Sequence, residues 1–289
     1  MRSIADKKSQ AEFLANLREK DAYETEPLRF RFADDFLLRR SDGWFYLREF
    51  LVVCVGSVRA RLGRFDGAAW TDRAYRMMRL MEAAGARIRI EGAEHMIRQQ
   101  APTVYVANHM SMVETMVLPG GLIQPFHPVA VVVKKSLLTY PVFGAIMRAV
   151  QPIAVARLNP REDLKQVLEQ GSACLRAGRS VLVFPQSTRR VCFRPAEFNS
   201  LGVKLAQRNG ASLLPVAVRS DFQETGHRWR DVGPIARGKP ILFRFGEPIP
   251  PETDPKHAHR QTIEFIAGSL REWDVPVPGT FRTGGPARG

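Results

Sequence analysis

The chain of 289 residues is 45% hydrophobic and 25% charged, the balance of an ordinary folded protein, long enough for one large α/β domain or two small ones. Its 43 Lys and Arg against 29 Asp and Glu give a net charge of +14, which suits an anionic partner: nucleic acid, an anionic membrane surface, or phosphorylated and CoA-type substrates. Cys54, Cys174 and Cys192 lie far apart without Cys-x2-Cys or His-Cys spacing, which argues against a disulfide scaffold or a cysteine metal site and for reduced thiols in a cytosolic setting.

The charged, polar N-terminus has no apolar h-region, so no secretory signal is expected. Residues 1–40 mix acidic and basic side chains and predict loosely packed helix. From about 43 to 84 the pattern is helical, with Trp44, Phe45, Leu47, Phe50, Leu51 and Val55 in an apolar band beside Arg48, Arg59 and Arg61. Such a stripe fits an interfacial membrane helix, and it fits a core helix packed on the following domain equally well. The most hydrophobic run, Phe50 to Val58, is about half the length of a membrane span, so no simple crossing helix is expected. Tyr75, Met78, Leu80 and Met81 continue a second helix into Gly85.

Beyond Gly85, short β-rich runs alternate with helical ones. Strands are predicted at 87–90, 103–107, 128–133, 152–156, 180–184, 212–218 and 241–245, with helices at about 112–118, 141–150, 160–177 and 199–209. Asn159-Pro160-Arg161-Glu162 opens the clearest helix, an N-cap followed by proline at the first helical position, and Gly178 offers its stop. A last helix begins at Asp254-Pro255, turns Ile263, Ile266, Leu270 and Trp273 inward, and ends before Pro276. The expected fold class is α/β, a largely parallel mixed sheet covered by helices over 86–275. It is preceded by a helical, membrane-interfacial segment over 1–85 and followed by a disordered Gly-, Pro- and Arg-rich tail over 276–289.

Chemistry-bearing residues gather where strands end. The run Thr103 to Ala107 delivers Asn108-His109-Met110-Ser111-Met112-Val113-Glu114 to the C-terminal edge of the sheet, where open α/β sheets place ligands. A histidine followed five positions later by an acid forms a charge-relay pair. The acid holds one ring nitrogen protonated and leaves the other to take a proton from an alcohol. That spacing is common by chance and gains weight from its neighbours. Pro152 to Ala156 runs into Arg157, Ser180 to Pro185 runs into Gln186-Ser187-Thr188-Arg189-Arg190, and Ser212 to Val218 carries Pro215 within a strand. On parallel strands Arg157 and Arg189 emerge on the edge that carries His109, where two guanidiniums and two hydroxyls match a phosphate monoester. Lys134 and Lys135 read as a solvated pair or as auxiliary phosphate or CoA contacts. His227 and Trp229 are exposed loop residues or line an acceptor entrance, and His127, His257 and His259 read as structural or solvated.

As an ordered set, Asn108-His109-x4-Glu114, the strand ending at Arg157, Phe184-Pro185-Gln186-Ser187-Thr188-Arg189 and Leu214-Pro215-Val216 resemble the four blocks of the glycerolipid acyltransferases. This superfamily comprises the 1-acylglycerol-3-phosphate acyltransferases and their lysophospholipid-acylating relatives. Phe198 to Ala206 and Phe245 to Ile249 extend the similarity, which covers about 86–250. The resemblance implies acyl transfer from acyl-CoA or acyl-carrier protein, as co-substrate, to a lipid hydroxyl, with no metal, no cofactor and no covalent intermediate. It implies His109 as general base and Glu114 as the group that orients and charge-stabilises the imidazolium. Arg157, Arg189, Ser187 and Thr188 would hold the acceptor phosphate, and Asn108, Gln186 and Lys135 are assigned with them to substrate binding. The implied partners are a lysophospholipid, the acyl thioester and an anionic membrane surface, with the protein peripheral on the cytoplasmic face of the inner membrane.

Two departures stand out. Most of the family has Asp where Glu114 stands, and usually reads Phe-Pro-Glu-Gly-Thr-Arg where this chain has Gln186 and Ser187. Both latter changes are expected in the acceptor pocket and make the acceptor head group the open question. A different lipid alcohol and a non-catalytic lipid-binding role are the alternatives. A nucleic-acid binder would match the charge, but the chain has no zinc-finger spacing and no aromatic ribonucleoprotein motif.

Overall fold

The computed structural model describes residues 4–25, 33–186, 188–226, 228 and 230–278. Ser187, His227, Trp229 and the tail beyond 278 lie outside these, so the expectations placed on them have no structural counterpart. The elements begin with α1 (Ile4–Lys20), β1 (Tyr23–Glu24), α2 (Ala33–Arg40), α3 (Asp42–Arg61), α4 (Gly67–Ala83), β2 (Ile88–Glu91) and α5 (Ala93–Ile97). Then come β3 (Val104–Ala107), α6 (Val113–Val117), β4 (Val129–Lys134), α7 (Phe143–Ala149), β5 (Ile153–Val155), α8 (Pro160–Arg176) and β6 (Ser180–Val183). The chain finishes with α9 (Leu201–Arg208), β7 (Leu213–Arg219), β8 (Ile241–Phe245) and α10 (Pro255–Glu272).

The strands form one sheet in the order β1-β2-β8-β7-β3-β6-β4-β5. Five of its seven pairings among the described residues are parallel; β1 with β2 and β7 with β8 are antiparallel. The five strands from β7 to β5 therefore run the same way, and their C-terminal ends share one edge. Their sequences are near-continuous apolar runs because helices cover both faces. Alternate residues face opposite layers: Tyr105, Leu182, Leu214 and Val216 pack with α4, whereas Val104, Val106, Val181 and Val183 pack with α8, α9 and α10. Asn159 caps α8 by accepting from the Arg161 N–H at 3.0 Å. Gly178, at φ 77°, lets the chain turn off that helix where a Cβ would be strained.

The N-terminal region differs from its expectation. α1 is not loosely packed: Phe13 and Leu17 are buried, and the Phe13 ring lies 4.9 Å from that of Tyr23, whose strand extends the sheet. α4 buries Trp70, Tyr75, Met77, Met78 and Met81 in the same layer as Tyr105. Residue 85 is thus no packing boundary. α3 divides by face, burying Phe45, Glu49, Gly56 and Ser57 and exposing Leu47, Phe50, Leu51, Val55 and Val58. A Cβ on Gly56 would meet Ile146 of α7 at 2.9 Å, so the glycine sets how closely those helices approach. No helix among the described residues is long and apolar enough to cross a membrane. α6 also continues past its expected end. Leu118–Ile123 forms a wide turn in which the Gln124 N–H donates to the Pro119 carbonyl at 2.8 Å, and a Cβ on Gly120 would meet the Trp70 indole at 2.5 Å.

Candidate active site

β3 stops at Ala107, and the next residue extends the ladder with its side chain. Asn108 donates its amide to the Val218 carbonyl and accepts from the Val218 N–H, both at 2.8 Å. Both ends of a side chain only 2% exposed are consumed by β7. Asn108, expected at the substrate, thus anchors the start of the loop to β7.

The loop then folds around one carboxylate. Glu114, in the first turn of α6, is fully buried. Its Oε1 lies 2.8 Å from His109 Nδ1 and accepts from the Met110 N–H at 2.7 Å and the Ser111 N–H at 2.9 Å. Its Oε2 accepts from the Ser220 hydroxyl at 2.5 Å, with the Ser111 hydroxyl 3.1 Å away. Burial alone would raise this carboxyl's pKa. The His109 hydrogen bond and charge, followed by the Ser220 hydrogen bond, outweigh burial and hold it below the ordinary carboxylate value. The group is thus ionised at neutral pH and fixes the imidazole through Nδ1. The longer side chain, against the family's usual Asp, costs nothing in reach.

The His109 side chain is 15% exposed, and its ring lies 5.0 Å from that of Phe184. With Nδ1 committed to Glu114, Nε2 is the nitrogen left for chemistry. The segment after β6 holds the same residue by its backbone. Gln186 Oε1 accepts from the His109 N–H at 2.9 Å, and the Arg190 N–H donates to the His109 carbonyl at 3.0 Å. Gln186 is 2% exposed, and its Nε2 has no partner among the described residues. Through Oε1 the side chain, expected in the acceptor pocket, holds the His109 backbone in place. Glutamine serves here because only an acceptor oxygen is required.

The basic residues are less concentrated than expected. Arg189 follows β6, next to β3, and its side chain is only 15% exposed, paired with Asp231. The adjacent Thr188 hydroxyl accepts from Arg230 at 3.0 Å. Arg157 shares the edge but is exposed and follows β5, three strand positions from β3, or roughly 14 Å at about 4.8 Å per strand. Lys135 is exposed after β4, two positions away. Both reach only an extended ligand lying along the edge. Sequence reasoning missed Ser111, Ser220 and the Arg230–Asp231 pair. Ser220 had a signal, since it directly follows β7, the strand beside β3.

A His–carboxylate pair at the C-terminal edge of a helix-covered mixed sheet, with Arg189 on the adjacent strand end, defines an α/β protein equipped for general-base chemistry near an anionic group. Comparison with known proteins narrows this. A family model described as Acyltransferase matches residues 87–219. The chain is 33% identical over 185 residues to a 1-acyl-sn-glycerol-3-phosphate acyltransferase of Pseudomonas aeruginosa, covering 64% of this chain and 66% of that protein. It is 24% identical over 191 residues to a 1-acyl-sn-glycerol-3-phosphate acyltransferase of Cocos nucifera, covering 65% and 58% respectively. The matched stretch thus falls short of two thirds of either relative's length. The crystal structure of the 1-acyl-sn-glycerophosphate acyltransferase PlsC from Thermotoga maritima shares the fold, with a TM-score of 0.60 at 18% identity over 83% of this chain and 96% of that one. Over residues 87–219 the chain is thus similar to the acyltransferases, the resemblance that its four ordered blocks carry.

Proposed function

We propose that the protein is an O-acyltransferase moving a fatty acyl group from acyl-CoA or acyl-carrier protein to the hydroxyl of a lysophospholipid, with a 1-acylglycerol-3-phosphate-like acceptor. The observation that carries this is the 2.8 Å contact between His109 Nδ1 and the buried Glu114, which leaves Nε2 available. Nε2 takes the acceptor hydroxyl's proton as its oxygen attacks the thioester carbonyl. The tetrahedral intermediate collapses, the C–S bond breaks, and the imidazolium returns the proton to the departing thiolate. A positioned base contributes about 10²–10⁴-fold, and alignment along the strand ends supplies more. Arg189 fits the acceptor phosphate, with Arg157 and Lys135 along the edge for an extended ligand.

The same reading places the protein peripherally on an anionic membrane, at the cytoplasmic face of the inner membrane. Leu47, Phe50, Leu51, Val55, Val58 and Leu62 are each 45–62% exposed along α3 and just beyond it. Exposed Tyr140, Leu158, Val191 and Val232 lie on the segments that follow β4, β5, β6 and β7. An apolar stripe and apolar loop tips on a protein of charge +14 suit a surface that is both oily and anionic.

The test is acyl transfer itself: CoA release from acyl-CoA that depends on added lysophosphatidate, with the diacyl product identified by mass. Thiol release that ignores the acceptor, or no release with either donor, removes the proposal.

A further inference from the structure

The loop after β7 crosses the segment after β6 in a fixed register. The Arg230 guanidinium donates to the Thr188 hydroxyl at 3.0 Å, and Asp231 pairs with Arg189. Two consecutive residues of one segment bond two consecutive residues of the other. This sets a second guanidinium beside the arginine already assigned to the acceptor phosphate.

α3 pins that loop. The Gly233 N–H donates to the Tyr46 hydroxyl at 2.9 Å, while that hydroxyl donates to the Gly233 carbonyl at 2.6 Å. The Ile235 N–H donates to Asp42 at 3.2 Å, and Arg237 pairs with Asp42 at 2.5 Å and donates to the Leu38 carbonyl at 2.9 Å. The helix carrying the exposed apolar stripe therefore fixes the loop that carries Arg230 and Asp231.

Arg189, 15% exposed, is a charge that needs an anionic partner, and Asp231, 48% exposed, supplies one that solvent can reach. A carboxylate offers oxygens to a guanidinium fork much as a phosphate does, with less charge. We propose that the Arg230–Asp231 pair is the head-group recognition element of the acceptor site. In the free protein Asp231 holds Arg189 in place of the acceptor phosphate; on binding, the phosphate monoester takes Arg189 from Asp231 and also engages Arg230. The proposal rests on the acyltransferase reading, in which Arg189 meets that phosphate. Discrimination follows from charge. A monoester near −2 displaces one carboxylate and meets two guanidiniums, whereas a neutral glyceride has nothing with which to displace Asp231.

Equilibrium binding of lysophosphatidate and of monoacylglycerol of the same chain, each in neutral-detergent micelles, tests this without turnover. Acyl-CoA turnover with both acceptors is measured alongside, using wild type, Arg230→Gln, Arg230→Lys and Asp231→Asn. Arg230→Gln is expected to weaken lysophosphatidate binding about tenfold, with Arg230→Lys recovering part of the loss. Asp231→Asn tightens binding several-fold, monoacylglycerol binding is unmoved, and acceptor KM follows affinity while kcat at saturation holds. Equal lysophosphatidate affinity in wild type and Arg230→Gln overturns the proposal, as does weaker binding by Asp231→Asn. Arg230-dependent binding without any acyl transfer supports the recognition element and removes the acyltransferase reading. Transfer that depends on His109 but affinity that ignores Arg230 does the reverse.

Discussion

Glu114 receives three backbone or side-chain N–H groups and a serine hydroxyl while fully buried, and this web is what keeps a charge stable away from water. Its depressed pKa fixes a sign. The folded carboxyl ionises below its unfolded value, so its contribution to stability is present above about pH 4.5, the ordinary carboxylate value, and lost as pH falls through the folded value. Ser220→Ala removes the 2.5 Å bond and lets the folded pKa rise. The acid limb of kcat/KM is expected to move to higher pH, with kcat at neutral pH falling about tenfold. A pH–rate profile superimposable on wild type would show that Ser220 does not position Glu114. Asn108 and Gln186 carry a lesson at this scale. Their motif membership was legible, but their direction was not, because an amide beside a strand end serves backbone and ligand equally well. The 2.8 and 2.9 Å contacts show which backbone groups each amide holds.

At the scale of elements, the seven strands expected after residue 85 appear within about two residues of their predicted limits, since runs such as Val129–Lys134 are apolar on both faces and short. β1 was missed because two residues carry no period. The wide turn at Leu118–Ile123 was missed because Pro119-Gly120-Gly121 reads as a break, whereas the Trp70 indole needs that bare backbone. α3 was ambiguous for a related reason: it is apolar on two faces, one burying Phe45 and the other exposing Phe50 and Val58 at 52% and 56%. Phe50→Glu with Val58→Glu leaves the buried face intact. Partition onto anionic vesicles is expected to fall on the order of tenfold or more, from the apolar area that no longer inserts. Turnover in detergent micelles stays near wild type. Co-sedimentation checks this, and undiminished vesicle binding would remove α3 as the docking face.

Across the whole molecule, α3 joins the outer surface to the catalytic edge through groups that titrate. Glu49 is buried on α3, and burial pushes its carboxyl up to about 7, with Asp231's charge adding to the rise and a Gln223 hydrogen bond opposing it. A raised acid has the opposite sign from Glu114. The unfolded chain ionises from about pH 4.5 while the folded one resists until about 7, so stability declines as pH climbs through that window and levels off above it. Glu49→Gln is expected to remove that slope and to stabilise the protein at pH 8 by roughly 2–4 kcal/mol. Urea unfolding at pH 5 and pH 8 measures it; a variant that keeps the wild-type slope assigns the effect elsewhere. The sequence could not show this coupling, because Glu49 and Asp231 lie 182 positions apart and meet only through the packing of α3 on the loop after β7.

The central claim is that His109, oriented by Glu114, removes the acceptor's proton. The most direct measurement is acceptor-dependent CoA release, followed by free-thiol detection, for wild type and His109→Ala at equal folded concentration. The variant is expected to lose about 10²–10⁴-fold in kcat while still binding lysophosphatidate. Equal turnover by the two proteins would contradict the account.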